Sequence, residues 1–475
     1  MNTTSINNPI HFIPDYSGVF GDKRLDKRAS SLFSQLSLNP CSSISRLSRS
    51  RAEQKAYYRF LGNEKVKEAS LINEARSRMS KLADGKHLLC IQDTSEINFH
   101  KHSNRLQTES GLGRSDNSNC ASCFKIHPGF VLEAERLLPL GFSDIKIWHR
   151  PVDMADKFKR NYKNQPIQEK ESYKWLEVAY NSKETLKNAK QVTFIEDREG
   201  DIYEQFASIP DASSHLLVRS KTTRKLADGN NLYSQVCSTP LKGTYEVELL
   251  TDHRKNRKHR IARIEVRFCK CKIKRPARLK KDKYPDSIEI YIVEAKEVGS
   301  NNSQNINWKL LTTHRVESFE MALQIIGWYN ARWYVEQLFR LLKRKGFGIE
   351  DTELESGWAI RKMSILQLIA ILKIMQMNIA YSDPEQGQPI EQVFEAIEIK
   401  ALSLLNTKLQ GKTFKQQNHN DPGRTKWAAW VIARLGGWKG YDSQGPPGVI
   451  VIKRGLERLS YIIEGIRLFE DVGTR

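Results

Sequence analysis

Two aspartates each close a short apolar run. His87-Leu88-Leu89-Cys90-Ile91-Gln92 runs into Asp93, and Gln191-Val192-Thr193-Phe194-Ile195-Glu196 runs into Asp197. Runs this short, bounded by polar residues, read as buried strands. In an α/β domain the C-terminal ends of strands face the functional edge. A third acid, Glu336, lies in a helical stretch. Three carboxylates from two strands and a helix can hold two Mg²⁺ ions about 3.5–4 Å apart, and Mg²⁺ leaves positions for water and phosphate oxygens. One ion would activate an attacking water or 3′-hydroxyl and the other would stabilise the leaving oxygen, so hydrolysis and strand joining can share a site. Taken singly, the aspartates read equally as local structure: Asp93-Thr94-Ser95 as a cap or turn, Glu196-Asp197-Arg198-Glu199 as a charged turn before a helix.

The stretch Val316 to Arg344 reads as one long helix. At about 100° per residue, Tyr329, Arg332, Glu336, Arg340 and Lys343 fall on one narrow polar stripe. Trp333, Val335, Leu338, Phe339 and Leu342 lie between them and can pack inward. A carboxylate among cations can bind a metal and the phosphates around it. The same stripe is equally an amphipathic helix in which Arg332 and Glu336 form an i,i+4 pair, worth about 0.3–0.5 kcal/mol.

The elements that must position these residues follow from the patterning. Residues 1–75 read as a helical, basic domain in which Arg46, Arg49, Arg51, Lys55 and Arg59 recur beside Tyr57, Tyr58 and Phe60. That mixture suits a DNA-contacting surface as well as a solvated helix face. Residues 76–365 read as an α/β core. Its expected strands are Phe124 to Glu133, Gly141 to Trp148, Leu216 to Val218 and Leu310 to Thr313, beside those that end at Asp93 and Asp197, and its expected helix is Glu169 to Lys190. A β-rich insertion is expected at about 225–305, where Tyr245 to Leu250, Ile261 to Ile273 and Ile288 to Val293 alternate without helical period. Residues 252–283 hold fifteen Lys and Arg against Asp252, Glu265 and Asp282, which suits either a phosphate backbone or an edge strand protected by charge. Residues 366–475 read as a helical domain, with helices at 360–381, 390–408, 424–435 and 453–470 that can bury apolar faces against a partner.

The chain has 475 residues and a net charge of +21, which favours a polyanionic partner. The most apolar stretch, Ile365 to Met377, is interrupted by Gln367, Lys373 and Gln376, so no membrane span is expected. Met1 to Pro9 is polar and does not read as an export signal. Cys41, Cys90, Cys120, Cys123, Cys237, Cys269 and Cys271 are sparse and odd in number, as in a reducing cytoplasm. Cys120-x-x-Cys123 and Cys269-x-Cys271 lie too far apart and too irregularly for a zinc ribbon, and chance cysteines are the expectation.

Tyr329, Arg332, Glu336 and Lys343 also reproduce a Y-x2-R-x3-E-x6-K signature. On this signature the chain resembles the DDE transposases of the insertion-sequence-four family. Further blocks follow in the same order: Gly21-Asp22, Tyr57-Tyr58-Arg59-Phe60, Asp93-Thr94, His127 with Val131-Leu132-Glu133-Ala134, Lys174-Trp175, Asp197-Arg198-Glu199 with Asp201-Ile202, Val218-Arg219-Ser220-Lys221 and Trp427-Ala428. The resemblance implies a ribonuclease H-like catalytic core with a β insertion, flanked by an N-terminal helical DNA-binding domain and a C-terminal helical dimerisation domain. It implies Asp93, Asp197 and Glu336 as the catalytic, metal-binding triad for two Mg²⁺, with Mn²⁺ as a substitute. It implies Tyr329, Arg332, Lys343, Arg340 and Arg219 as contacts to transposon-end DNA, and Trp308 as a platform for a flipped base beside a hairpin. Its partners would be double-stranded DNA at the transposon ends and target and a second copy in a paired-end complex, with no membrane and no small-molecule substrate. Its place would be the bacterial cytoplasm, on the nucleoid when bound. Gln337 stands where a relative within that family carries a second acid. Two other readings stand beside this one: a nuclease on the same fold that cuts without joining, and a DNA-binding repressor without catalysis.

Overall fold

The computed structural model describes residues 11–107, 110–115, 122–151, 165–249, 258–299, 305–343, 346–441 and 444–473. Four helices come first: α1 (Lys23–Leu38), α2 (Ile44–Leu47), α3 (Arg51–Gly62) and α4 (Glu68–Leu82). Asp22 and Ser50 cap α1 and α3 by accepting from Arg24 N and Glu53 N, which satisfies helix-end donors that would otherwise lack partners. Then come β1 (His87–Gln92), β2 (Ser95–Asn98), β3 (Cys123–Glu133), β4 (Pro139–Trp148), α5 (Tyr173–Thr185), β5 (Gln191–Glu196), α6 (Tyr203–Ser208), β6 (Ser214–Arg219) and α7 (Leu232–Ser238). The insertion supplies β7 (Gly243–Leu249), β8 (Arg260–Lys274) and β9 (Ser287–Val298), and β10 (Asn307–Thr312) follows. The remaining helices are α8 (Phe319–Asn330), α9 (Trp333–Leu342), α10 (Gly357–Ala380), α11 (Ile390–Val393), α12 (Ala396–Leu409), α13 (Thr425–Leu435) and α14 (Val449–Gly473).

The chain packs as two compact units that interleave along the sequence. One comprises Met1–Asp84, Thr94–Met154 and Val335–Arg475, and the other Gly85–Asp93 and Ala155–Tyr334. In the second unit the sheet runs β1-β5-β6-β10-β9-β8-β7. The pairs β1–β5 and β5–β6 are parallel, and the strands from β10 outward are antiparallel. Leu88, Phe194, Leu216, Val218, Ile292 and Leu310 are wholly buried. The continuous apolar sequence of β1 and β5 is what a strand covered on both faces requires.

The first unit carries the antiparallel ribbon β2-β3-β4 and the helices around α10. α10 is the one described helix long and apolar enough to cross a membrane, and 89% of its most apolar window is buried inside the protein. A helix apolar on all sides needs cover on all sides. Four of its polar side chains reach partners. Gln367 donates to Cys41 O, Gln376 to Pro139 O, Lys362 to Leu61 O and Asn63 O, and Lys373 pairs with Glu398 at 2.6 Å. α13 and α14 meet backbone to backbone: a Cβ on Gly455 would strike Ile432 O, and one on Gly436 would strike Val451 O.

Several expected boundaries shift. The single helix expected over Val316 to Arg344 is two, α8 and α9, broken at Ala331 and Arg332, and Arg344 lies outside the described residues. The helix expected over 390–408 is also two. Glu395 and Glu398 form a capping box that starts α12 afresh. The helix expected over Glu169 to Lys190 shortens to α5, preceded by a 3-10 turn at Ile167–Glu169. The fold class is the expected one: mixed α/β, helical at both ends and sheet-rich between.

Candidate active site and DNA-binding surface

Strand register places the two aspartates. β1 and β5 are parallel with Ile91 opposite Ile195, so Asp93 and Asp197, each two residues further on, leave adjacent strands at the same level. β6 continues the pattern with Val218 opposite Glu196, and Arg219 follows beside Asp197. β10 runs back along β6 with Leu310 opposite Arg219, which puts Trp308 at the same edge. Residues far apart in sequence therefore meet at the C-terminal edge of the parallel strands, where α/β sheets bind ligands.

Asp93 is half-buried, and its Oδ2 accepts from Arg332 Nη1 at 3.0 Å. Asp197 accepts from Glu199 N through Oδ1 at 2.8 Å and so caps the turn Arg198–Gly200. Glu196, the preceding residue, is fully buried, bonded to Gln205 Nε2, and pushed well above the usual carboxyl range by burial. A Cβ on Gly200 would collide with that carboxyl, so the turn needs glycine there. Asp201 is held by Arg224 and accepts from Lys221 N at 2.8 Å.

Trp308 and Tyr329 pack edge to face with ring centroids 5.2 Å apart. Tyr329 is buried, and its phenol is raised by burial, with the charges of Arg332 and Arg219 acting the other way. The edge thus gathers two carboxylates, two guanidiniums, a phenol and an indole. The stripe expected on one long helix does not form as such. Tyr329 lies in the last turn of α8, Arg332 in the break, and Glu336 in the first turn of α9. A helical projection cannot cross the break, and what replaces it is packing: Tyr329 goes to Trp308 and Arg332 to Asp93.

Glu336, Arg340 and Lys343 lie in the first unit, with Glu336 and Lys343 half-buried and Arg340 exposed. Among the described residues no three His, Cys, Asp or Glu side chains stand together as a metal site. The donors at the strand ends, Asp93 and Asp197, are carboxylate oxygens, the type a hard divalent cation takes. The donor chemistry fits such a cation, although one oxygen of Asp93 is occupied by Arg332.

In the same unit as Glu336, Arg51, Lys55 and Arg59 are exposed at four-residue steps on α3, while Tyr57, Phe60 and Leu61 face the core. Arg46 and Arg49 are exposed beside them. Thr94, which follows Asp93 in the sequence, bonds to His127 at 2.8 Å, and both lie in the first unit. The basic insertion is more balanced than its sequence suggests. Acids on β9 and β8 pair with its cations: Arg260 with Glu297 at 2.7 Å, Lys270 with Glu289 at 2.7 Å and Arg267 with Glu265 at 2.9 Å. Residues 252–257 of that basic run lie outside the described residues, as does Cys120. Cys123 and Cys271 are buried free thiols, and Cys269 is a half-buried one.

Two segments match known families. Residues 18–66 match the transposase DNA-binding family and residues 216–373 the transposase DDE domain. The chain therefore joins a helical DNA-binding domain to a DDE transposase domain. It is a metal-dependent enzyme that cleaves DNA and transfers strands, and DNA is its partner. The first match holds the α3 cations, including Arg59. The second holds Glu336, Tyr329, Arg332, Arg340, Lys343, Trp308 and Arg219, and begins after Asp93 and Asp197.

Proposed function

We propose that the chain is a cut-and-paste transposase of the insertion-sequence-four family, of the same kind as the transposase of transposon five, and that Asp93, Asp197 and Glu336 are its catalytic acids. The reading is carried by one observation: Asp93 and Asp197 leave adjacent parallel strands in register, at an edge that also holds Arg219, Trp308 and Arg332. Two Mg²⁺ ions, replaceable by Mn²⁺, would activate the attacking oxygen and stabilise the leaving one.

The residues of the chain then divide the work. Asp93, Asp197 and Glu336 supply the oxygen donors. Arg219 and Arg332 bind end phosphates as charge-assisted pairs, with Arg340, Lys343 and the Tyr329 phenol beside them. After the first nick, the freed 3′-oxygen attacks the opposite strand. The new phosphodiester closes a hairpin and the flanking DNA leaves through its own 3′-oxygen. Trp308, now packed on Tyr329, offers a face on which a displaced base stacks, worth about 1–3 kcal/mol. Hairpin opening restores the 3′-hydroxyl for attack on target DNA. Residues 1–75, with Arg59, recognise the ends, 76–365 carry the chemistry, and the helices of 366–475 pair two copies in the working complex.

The test uses a labelled duplex that carries the terminal repeat of the chain's own element next to flanking DNA. With Mg²⁺, the expected product is a hairpin on the element end that runs anomalously on a denaturing gel and disappears in Asp93→Ala. Cutting without hairpin or joined product would favour a nuclease, and binding without cleavage in Mg²⁺ or Mn²⁺ a repressor.

A further inference from the structure

The Arg332–Asp93 pair has a feature the proposed chemistry does not use. The guanidinium occupies a carboxylate oxygen that the metal reading needs, at 3.0 Å. An arginine and a divalent cation seek the same lone pairs and repel one another, so at this carboxylate they compete. The pair is not sealed in the core: the two side chains are 19% and 21% exposed. A phosphate can reach Arg332 from solvent and offers two oxygens to the planar fork of the guanidinium, the paired contact it prefers. Arg332 also stands outside the regular helices, in the break between α8 and α9. Its N–H bonds to Tyr329 O in a turn, so the side chain can be redirected without unwinding either helix.

We propose that Arg332 is a latch that makes metal loading depend on DNA. Without DNA it holds Asp93 and keeps the divalent cation weakly bound. An end phosphate draws the guanidinium off the carboxylate, which frees the oxygen for the metal and completes the site only where there is a strand to cut. The inference rests on the reading of Asp93 as a metal ligand and adds an order to it: DNA first, metal second.

The test measures Mn²⁺ binding to the full chain by the electron paramagnetic resonance of free Mn²⁺, with and without an end duplex, after subtraction of Mn²⁺ held by the duplex and by the Asp93→Asn complex. In the wild-type protein the duplex should tighten Asp93-dependent Mn²⁺ binding by about tenfold or more. Arg332→Gln should bind Mn²⁺ without DNA about tenfold more tightly than wild type, and adding Asp93→Asn should abolish that gain. Arg332→Lys should fall between the two. Equal Mn²⁺ affinity in wild type with and without DNA overturns the latch even if Asp93 proves a ligand. If no form shows Asp93-dependent Mn²⁺, the metal-site reading falls and the latch with it. The wild-type comparison needs no Arg332 variant, so a poorly folding Arg332→Gln does not remove the test.

Discussion

The parallel strands of the second unit end in opposite chemistry. At their C-terminal edge stand acids held by cations and capped turns: Asp93 with Arg332, Asp197 on Glu199 N and Asp201 with Arg224. At the other end stand three histidines. His215 and His314 stack with ring centroids 4.0 Å apart, and Thr193 Oγ1 bonds to His87 Nε2 at 2.9 Å and His314 Nε2 at 2.8 Å. Trp328 packs against His87 and His314. Burial pulls His314 down to about 3 and His87 to about 4, and His215 is lowered too. The same sheet thus keeps charge at one end and refuses it at the other. The register puts the acids at the edge where strand ends open, while the half-buried imidazoles at the other end pack on one another and on Trp328.

The contrast can be broken from either end. Asp197→Asn should have the largest effect, lowering end cleavage by about a thousandfold or more while the variant folds and binds end duplex as wild type does, as read by single-turnover cleavage beside a binding titration. Arg224→Met should come next. It leaves the Asp201 carboxylate, 1% exposed, without its guanidinium, and removing one partner of a buried pair costs about 3 kcal/mol, to be seen in denaturant unfolding. Thr193→Val should cost about 1–2 kcal/mol, because a wholly buried hydroxyl serves two imidazoles, and should leave cleavage per folded molecule unchanged.

The smallest effect is a slope with pH. His87 and His314 stay neutral in the folded chain at pH values where the unfolded chain protonates them, near 6.5. Between about pH 6.5 and 4 the unfolded state binds more protons, so stability falls as the pH drops through that window. Unfolding midpoints at pH 7.5, 6 and 5 should show the decline, and His314→Gln should flatten it.

Much of this was legible in the sequence, and what was not has a physical cause. β1 and β5 announced themselves because strands covered on both faces are mostly apolar, and their terminal aspartates followed directly. The α8–α9 break did not, because the helical pattern runs through Ala331 and Arg332 unbroken. The break coincides with long-range contacts that no local pattern shows: Tyr329 packs on Trp308, and Arg332 pairs with Asp93, 239 residues away. The partners of the insertion's cations were hidden for a similar reason. Its cations are consecutive in sequence, whereas Glu289, Glu294 and Glu297, which face them, arrive on the next strand. The histidine cluster gave no local signal, since His87, His215 and His314 are single residues on three separate segments.

The most direct test of which end holds the metal replaces Mg²⁺ with Fe²⁺ in the DNA-bound protein and starts hydroxyl-radical cutting of the polypeptide with ascorbate and peroxide. Cuts beside Asp93 and Asp197, suppressed by excess Mg²⁺, are the expected result. Cuts clustered at His87, His215 and His314 would contradict the account.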